Sequence, residues 1–231
     1  MSEIAGWADD FFWGAMVVIR IFAVSLVLSV IIGLIGSAMK LSGSRVTQAI
    51  VNAYTVIFRG TPELLVLLLI YFGAAISLTA IVQFFDPTVK FIEIPPFWAG
   101  AFAIALIVGA YMTETFRGAF LGVDPGHVEA ARALGLSQFQ TFVYVRIPQM
   151  WRLALPNFGN HMLSLMKDTA LISVIGVEEI VFVAEMATTV TSKPFTMYII
   201  VALIYLCITT VITLTVMALE KYANKHLASS R

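Results

Sequence analysis

Charged and hydrogen-bonding side chains are scarce in this chain, and their positions are the first guide to its chemistry. The densest set is Asn157, Asn160, His161, Ser164, Lys167 and Asp168, spaced by three and four within an otherwise apolar stretch at about 155–177. That spacing puts them on one stripe of a helix whose other faces are apolar. Isolated charges interrupt other apolar runs at Arg20, Arg59, Glu63 and Glu114. Carboxylates suit a cationic side chain or an amino group, and a guanidinium can grip a carboxylate through two parallel hydrogen bonds. Asp168, Glu114, Glu63 and Arg59 are therefore the candidate contacts for a polar solute. Internal pairing, of Lys167 with Glu63 or of Asp168 with Arg20, would satisfy the same charges and bind nothing.

Bond-making chemistry finds no footing in the sequence. No nucleophile stands at a sensible spacing from a base, and no His, Cys or carboxylate group has metal-ligand spacing. Cys207 is the sole cysteine and lies in an apolar run, where it reads as a small hydrophobe. His161 reads as a hydrogen-bonded bundle histidine, and His127 and His226 as loop and tail residues. The chain has no G-x-x-x-x-G-K-[ST] phosphate cradle.

The elements that must carry these side chains are membrane helices. Hydrophobic residues make up 60% of the chain and charged residues 12%, well outside the balance of a soluble domain. The formal net charge is zero, so nothing in the overall balance argues for a nucleic-acid partner. Roughly 20 apolar residues cross a bilayer core. Four strong runs meet that standard, at about 11–39, 54–85, 97–116 and 195–219, and the polar-striped stretch at 155–177 is a weaker fifth. On a lipid-facing helix that stripe would cost several kcal/mol, so it belongs inside a bundle. The acidic N-terminus lacks the features of a signal peptide, so the first run is expected to stay as a span.

Lysine and arginine set the expected orientation, because cytoplasmic loops accumulate them. Lys40, Arg45, Arg59, Arg117, Arg132, Arg146, Arg152, Lys221, Lys225 and Arg231 fall on one side, against Lys90 and Lys193 on the other. The N-terminus is expected outside and the C-terminus inside, which requires an odd number of spans. The expectation is an all-α integral membrane protein of about five transmembrane helices, with residues 1–231 forming one domain. Ser25, Ser29, Gly33 and Ser37 recur at every fourth position of the first span, a strip on which another helix can pack closely. Pro62, Pro95, Pro96 and Pro194 stand at helix entries or turns. A secondary transporter or channel not driven by ATP would show paired repeats with interrupted helices, and none is found.

The longest expected cytoplasmic loop, 117–151, carries the most specific pattern. Asp124 and Pro125 are helix-start residues, Glu129, Ala130 and Ala131 continue as a short helix of about two turns, and Gly135 is a natural stop. A second helical stretch, 138–145, is expected to end before Pro148. Glu129, Ala130, Ala131, then Gly135, then Val145 and Ile147 before Pro148 match the E-A-A, three residues, G, nine residues, I-x-L-P signature, with valine in place of the isoleucine and isoleucine in place of the leucine. On these residues the chain resembles the binding-protein-dependent ABC importer permeases. The resemblance to the polar amino acid permeases extends through Phe58-Arg59-Gly60-Thr61-Pro62-Glu63, the run from Gly109 to Gly118, and Lys167-Asp168-Thr169-Ala170-Leu171. Within that family the chain looks most like the Q-type subunits of histidine/lysine/arginine/ornithine and opine importers.

The resemblance implies the type I ABC importer permease fold in the inner (plasma) membrane of a bacterial cell, and import of polar, basic amino acids or their derivatives. It implies that Glu129, Ala130, Ala131, Gly135 and Pro148 belong to a coupling segment seated on a separate ABC-type ATPase dimer, with ATP and Mg bound there and no cofactor in this chain. It also implies a second permease subunit, identical or related, and a periplasmic substrate-binding protein. Ala130 and Ala131 lack bulk and allow close approach, and Glu129 either pairs with a basic group of the partner or caps its own loop.

Overall fold

The computed structural model describes residues 6–225, whose regular structure is helical with no strand among them. The readings placed on residues 1–5, and on His226 and Arg231 of the tail, lie outside the described residues. In chain order the helices are α1 (Ala8–Lys40), α2 (Arg45–Gly60), α3 (Glu63–Phe85), α4 (Pro96–Leu121), α5 (Pro125–Ala133) and α6 (Gln138–Thr141). A π turn (Phe142–Arg146), α7 (Ile147–Asp168), a 3-10 segment (Thr169–Ile175), α8 (Ile180–Thr191) and α9 (Pro194–Ala223) complete the chain. Helices α1, α3, α4 and α9 are long and apolar enough to cross a membrane.

Three stretches differ from the sequence expectation, each for a backbone reason. The single run expected at 54–85 is two helices. Thr61 is extended and Pro62 caps α3, because a residue preceding proline is pushed out of the helical region. The amphipathic α2 that results starts at Ser44, whose hydroxyl accepts the Thr47 N–H, and buries Val51 and Thr55. The second stretch is 138–145, which does not stop before Pro148. The Ile147 N–H reaches back five residues to the Phe142 carbonyl. That π turn shifts the hydrogen-bond register where Pro148 has no N–H to give, and the chain runs straight into α7. The third is the stretch at 155–177. Its helix begins earlier, at Ile147, and tightens to 3-10 before Gly176 ends it at φ +85°. Helix α8 follows as an element the periodicity did not indicate, its start capped by the buried Glu179, which accepts the Val181 and Phe182 N–H groups at 2.9 and 3.1 Å.

Helix α4 is the centre of the bundle. In its most apolar stretch 67% of residues are buried, against 22% or less in α1, α3 and α9, and it touches α1, α2, α3, α7 and the 3-10 segment. Its closest neighbour is α1, and the strip of small residues makes that approach possible. Ser25, Ser29, Gly33 and Ser37 are all buried, with the Ser25 hydroxyl donating to the Ala101 carbonyl at 3.0 Å. A Cβ at Gly33 would lie 2.6 Å from the Met112 Cβ and 3.1 Å from the Phe116 ring, so any side chain there must push the helices apart. The core around this seam holds Ile21, Ile104, Val108, Met112, Phe116 and Leu165.

Gly33→Leu is therefore expected to destabilise the bundle by about 1–3 kcal/mol, the usual cost of overpacking. Gly43→Leu, at a position with nothing within 4 Å, should cost little. Thermal unfolding of the two variants in detergent checks this, and equal midpoints would remove the close-packed α1–α4 seam from the account of stability.

Candidate functional site

The polar stripe of α7 faces α4, and between them lies a cavity of about 350 Å³. Glu63 from the start of α3, Val108 and Tyr111 from α4, and Asn160, His161, Ser164 and Asp168 from α7 line it. The start of α3 is present because Pro62 ends the preceding turn, which sets Glu63 in the first turn of its helix. His161 is held in place by Thr115, whose hydroxyl lies 2.8 Å from Nε2, and its ring sits 5.9 Å from that of Tyr111. Arg59, at the end of α2, places its guanidinium 5.3 Å from the Tyr111 ring centroid, within cation–π range. It stands beside the cavity through Tyr111 and is not one of its lining residues.

Two acids thus share the cavity, Asp168 and Glu63, and no cationic side chain is among the residues that line it. Neither internal pair forms among the described residues: Lys167 is exposed and not paired with Glu63, and Arg20 is exposed on α1 and not paired with Asp168. Tyr111 and Thr115 are site residues that the sequence reading does not single out. Their spacing of four on α4, opposite the three-and-four stripe of α7, is the available signal.

Glu114, another candidate contact from the sequence, does not join Asp168 in this cavity. Its Oε1 is paired with the Lys40 ammonium and its Oε2 accepts from Arg117 Nε at 2.8 Å. Lys40 also donates to Thr55 Oγ1 at 2.8 Å, and its side chain is only 8% exposed. The cluster ties the end of α1 to α2 and α4 and lines a separate polar cavity with Gln48 and Asn52. In the sequence Lys40 counts only as a topological charge, since its partner lies 74 residues away.

The patterned loop folds as a short capped helix. Asp124 accepts the Gly126 N–H at 2.8 Å to start α5, and Pro125 occupies the first turn. At the other end Gly135 takes φ +86°, with its N–H bonded to the Arg132 carbonyl and the Leu136 N–H to the Ala131 carbonyl, at 2.9 and 3.1 Å. This is the paired hydrogen-bond ending that requires a left-handed residue one place beyond the helix. Ala131 faces inward and is buried, whereas Glu129, Ala130 and Gly135 are exposed. Glu129 caps neither helix, since Asp124 caps α5 and Ser137 caps α6. Leu134 and Phe139 are 82% and 75% exposed, an apolar surface beside the motif. His127 Nδ1 meets the Gln149 side-chain oxygen at 2.9 Å, joining α5 to the start of α7 beside Pro148.

Comparison with known proteins agrees with this geometry. A family model described as the binding-protein-dependent transport system inner membrane component matches residues 26–227, a stretch that includes the cavity, the charge cluster and the capped helix. The chain is 41% identical to the histidine/lysine/arginine/ornithine transport system permease protein HisQ of Salmonella typhimurium over 216 residues, covering 94% of each protein. It is 38% identical to the nopaline transport system permease protein NocQ of Agrobacterium fabrum, covering 97% of this chain and 95% of that one. A solved structure described as an amino acid ABC transporter with histidines superposes with a TM-score of 0.80 at 32% identity, covering 95% of this chain and 96% of the other.

The Glu114 cluster carries its own test. Glu114→Gln should cost about 1–3 kcal/mol, because the nearly buried Lys40 ammonium loses its carboxylate. Lys40→Met combined with Glu114→Gln should cost less than the sum of the single changes. Unfolding midpoints for the four proteins of this double-mutant cycle measure the difference, and strict additivity would mean the two side chains act independently.

Proposed function

Because the chain belongs to the binding-protein-dependent transport system inner membrane components, as the permease subunit of an amino-acid ABC importer in the inner membrane, we propose that the cavity between α3, α4 and α7 receives a basic amino acid. The observation that carries this reading is the pair of carboxylates, Asp168 and Glu63, in a cavity whose lining includes no cation. A charged solute leaving water needs fixed polar groups to replace its hydration, and opposite charge serves best. Asn160, His161, Ser164 and Tyr111 supply neutral hydrogen-bonding groups around the two acids. Arg59, resting on Tyr111 at the edge, is placed to meet the solute's α-carboxylate. Basic amino acids are among the solutes named for the HisQ system, which supports the same class here.

Transport is driven, in this reading, by a separate ABC-type ATPase dimer that binds ATP and Mg, because this chain has no phosphate cradle of its own. The residues Glu129, Ala130, Ala131 and Gly135 of α5 and its turn sit on that ATPase, with Pro148 at the return into the bundle. The exposed Leu134 and Phe139 widen the apolar surface available to it. A second permease subunit, identical or related, and a periplasmic binding protein complete the assembly. The single permease domain has five spans, α7 with its 3-10 extension being the fifth, the N-terminus outside and the C-terminus in the cytoplasm. The lysine and arginine asymmetry supports that orientation.

Asp168→Asn tests the cavity. A charge-assisted hydrogen bond is worth about 1.5–3 kcal/mol, so arginine uptake by the reconstituted transporter should fall about ten-fold or more, with glutamine uptake less affected and folded yield unchanged. Equal losses for both solutes at normal yield would remove Asp168 from cation recognition.

Gly135→Ala and Glu129→Lys test the coupling segment. The first imposes a left-handed alanine at a cost of about 1–2 kcal/mol, and the second reverses an exposed charge. Both are expected to lower transport per ATP hydrolysed while the permease still inserts and folds. Normal transport by both variants would place the coupling contact elsewhere.

A further inference from the structure

We infer that the solute leaves this cavity along the groove between α4 and α7, past the Thr115–His161 pair, and that Gly118 lines the exit. The inference rests on the reading of the cavity as the solute site and adds a route to it.

The same two helices enclose a second cavity of about 280 Å³, lined by Glu114, Thr115, Gly118 and Ala119 of α4, by Gly122 just past its end, and by Leu153 and Asn157 of α7. Along α4 and the residue that caps it the lining positions of the two cavities run 108, 111, 114, 115, 118, 119 and 122, and on α7 they run 168, 164, 161, 160, 157 and 153. Steps of three and four keep to one face of a helix, so the cavities are successive segments of one groove. The hydrogen bond at 2.8 Å between Thr115 and His161 joins a residue of the second cavity to a residue of the first, and stands at the boundary between them. Beyond Gly122 the chain enters Asp124 and α5, so the second cavity lies at the end of the bundle that carries the coupling segment.

Gly118 is the informative residue. A glycine inside a helix destabilises it relative to alanine, and Gly33 and Gly109 have a steric reason, with neighbouring side-chain atoms 2.6 and 2.7 Å from where a Cβ would be. At Gly118, which lines the second cavity, a Cβ would meet nothing within 4 Å. The glycine keeps open a space that this chain itself does not fill. Glu114 is the one carboxylate on that wall, and Lys40 and Arg117 already hold both of its oxygens. A cation passing it meets a compensated charge, as release requires, since a site that binds tightly on the way out would trap its solute.

The test uses Gly118→Cys in a Cys207→Ala background, assembled with its ATPase and binding protein in liposomes. Membrane-impermeant methanethiosulfonates of increasing size are applied to the face that carries α5. Expected are modification slowed several-fold by saturating arginine, a graded loss of arginine uptake reaching at least ten-fold with the bulkiest adduct, and retained ATPase activity stimulated by the binding protein. Gly43→Cys, labelled to the same extent, should transport normally. Uptake unaffected by the bulkiest adduct, no modification of the introduced thiol in the assembled transporter, or loss of ATPase in parallel with uptake would each overturn the route. The outcome is separable from that of Asp168→Asn: block at Gly118 with unchanged solute discrimination at Asp168 would keep Gly118 on the solute's path and remove Asp168 from cation recognition, and altered discrimination at Asp168 with no block at Gly118 would keep the cavity reading and overturn the route.

Discussion

A helix bearing two asparagines, a histidine, a serine and a carboxylate on one stripe cannot turn that stripe to lipid, where no water satisfies it. The rest of the bundle is arranged around where the stripe of α7 goes. It goes against α4, which must then be enclosed on its remaining sides and is the most buried of the long helices. Enclosure in turn demands that α1 approach closely. Without a hydrophobic effect between helices in lipid, that approach depends on small residues and short hydrogen bonds. Ser25, Ser29, Gly33 and Ser37 supply them along one edge of a largely apolar helix. The α1–α4 seam and the polar cavity are thus two consequences of one restriction, acting on neighbouring faces of α4.

Consecutive residues near the end of α4 serve its two sides. Glu114 points to Lys40 and Arg117 and so to the ends of α1 and α2, whereas Thr115 points to His161 and so to the cavity. A turn of about 100° per residue separates them, which follows from 3.6 residues per turn. Two turns further on, α4 ends at Leu121, and only Gly122, Val123 and Asp124 separate it from α5. The helix that walls the cavity is therefore also the one that leads into the capped helix α5, and its end is fixed sideways by ion pairs.

Much of this is legible in the amino-acid sequence, for identifiable reasons. Apolar run lengths mark the four long helices because the bilayer imposes a minimum length. The stripe of α7 and the small-residue strip of α1 are visible as periodicity, and Asp124, Pro125 and Gly135 mark α5 because capping is local chemistry. What escapes depends on contacts distant in sequence or on backbone events with weak signatures. The Lys40–Glu114 pairing joins residues on different helices, so no spacing rule can find it, and without it Glu114 groups with Asp168 as a second free acid. The break at Thr61 escapes because the apolar residues on both sides read as one run, although the polar Arg59-Gly60-Thr61-Pro62-Glu63 between them, Pro62 above all, is the cue. The π turn has no visible cue beyond Pro148, which points instead to a stop.

The spacing of the loop motif also has a physical reading in this chain. Ala131 and Gly135 stand four apart because the paired bonds that close α5 run from Leu136 to Ala131 and from Gly135 to Arg132, an arrangement that needs its left-handed residue at that place. The nine residues between Gly135 and Val145 hold the Ser137-capped α6 and most of the π turn, whose shifted register carries the backbone past Pro148 without breaking it. A broken chain there would leave α5 hinged at both ends. Instead α5 is joined to α4 by a three-residue link on one side and to a continuous helix on the other, with His127 and Gln149 bridging the two. A short helix braced in this way is tied to α4 and α7 together, and those are the two helices whose facing surfaces form the cavity.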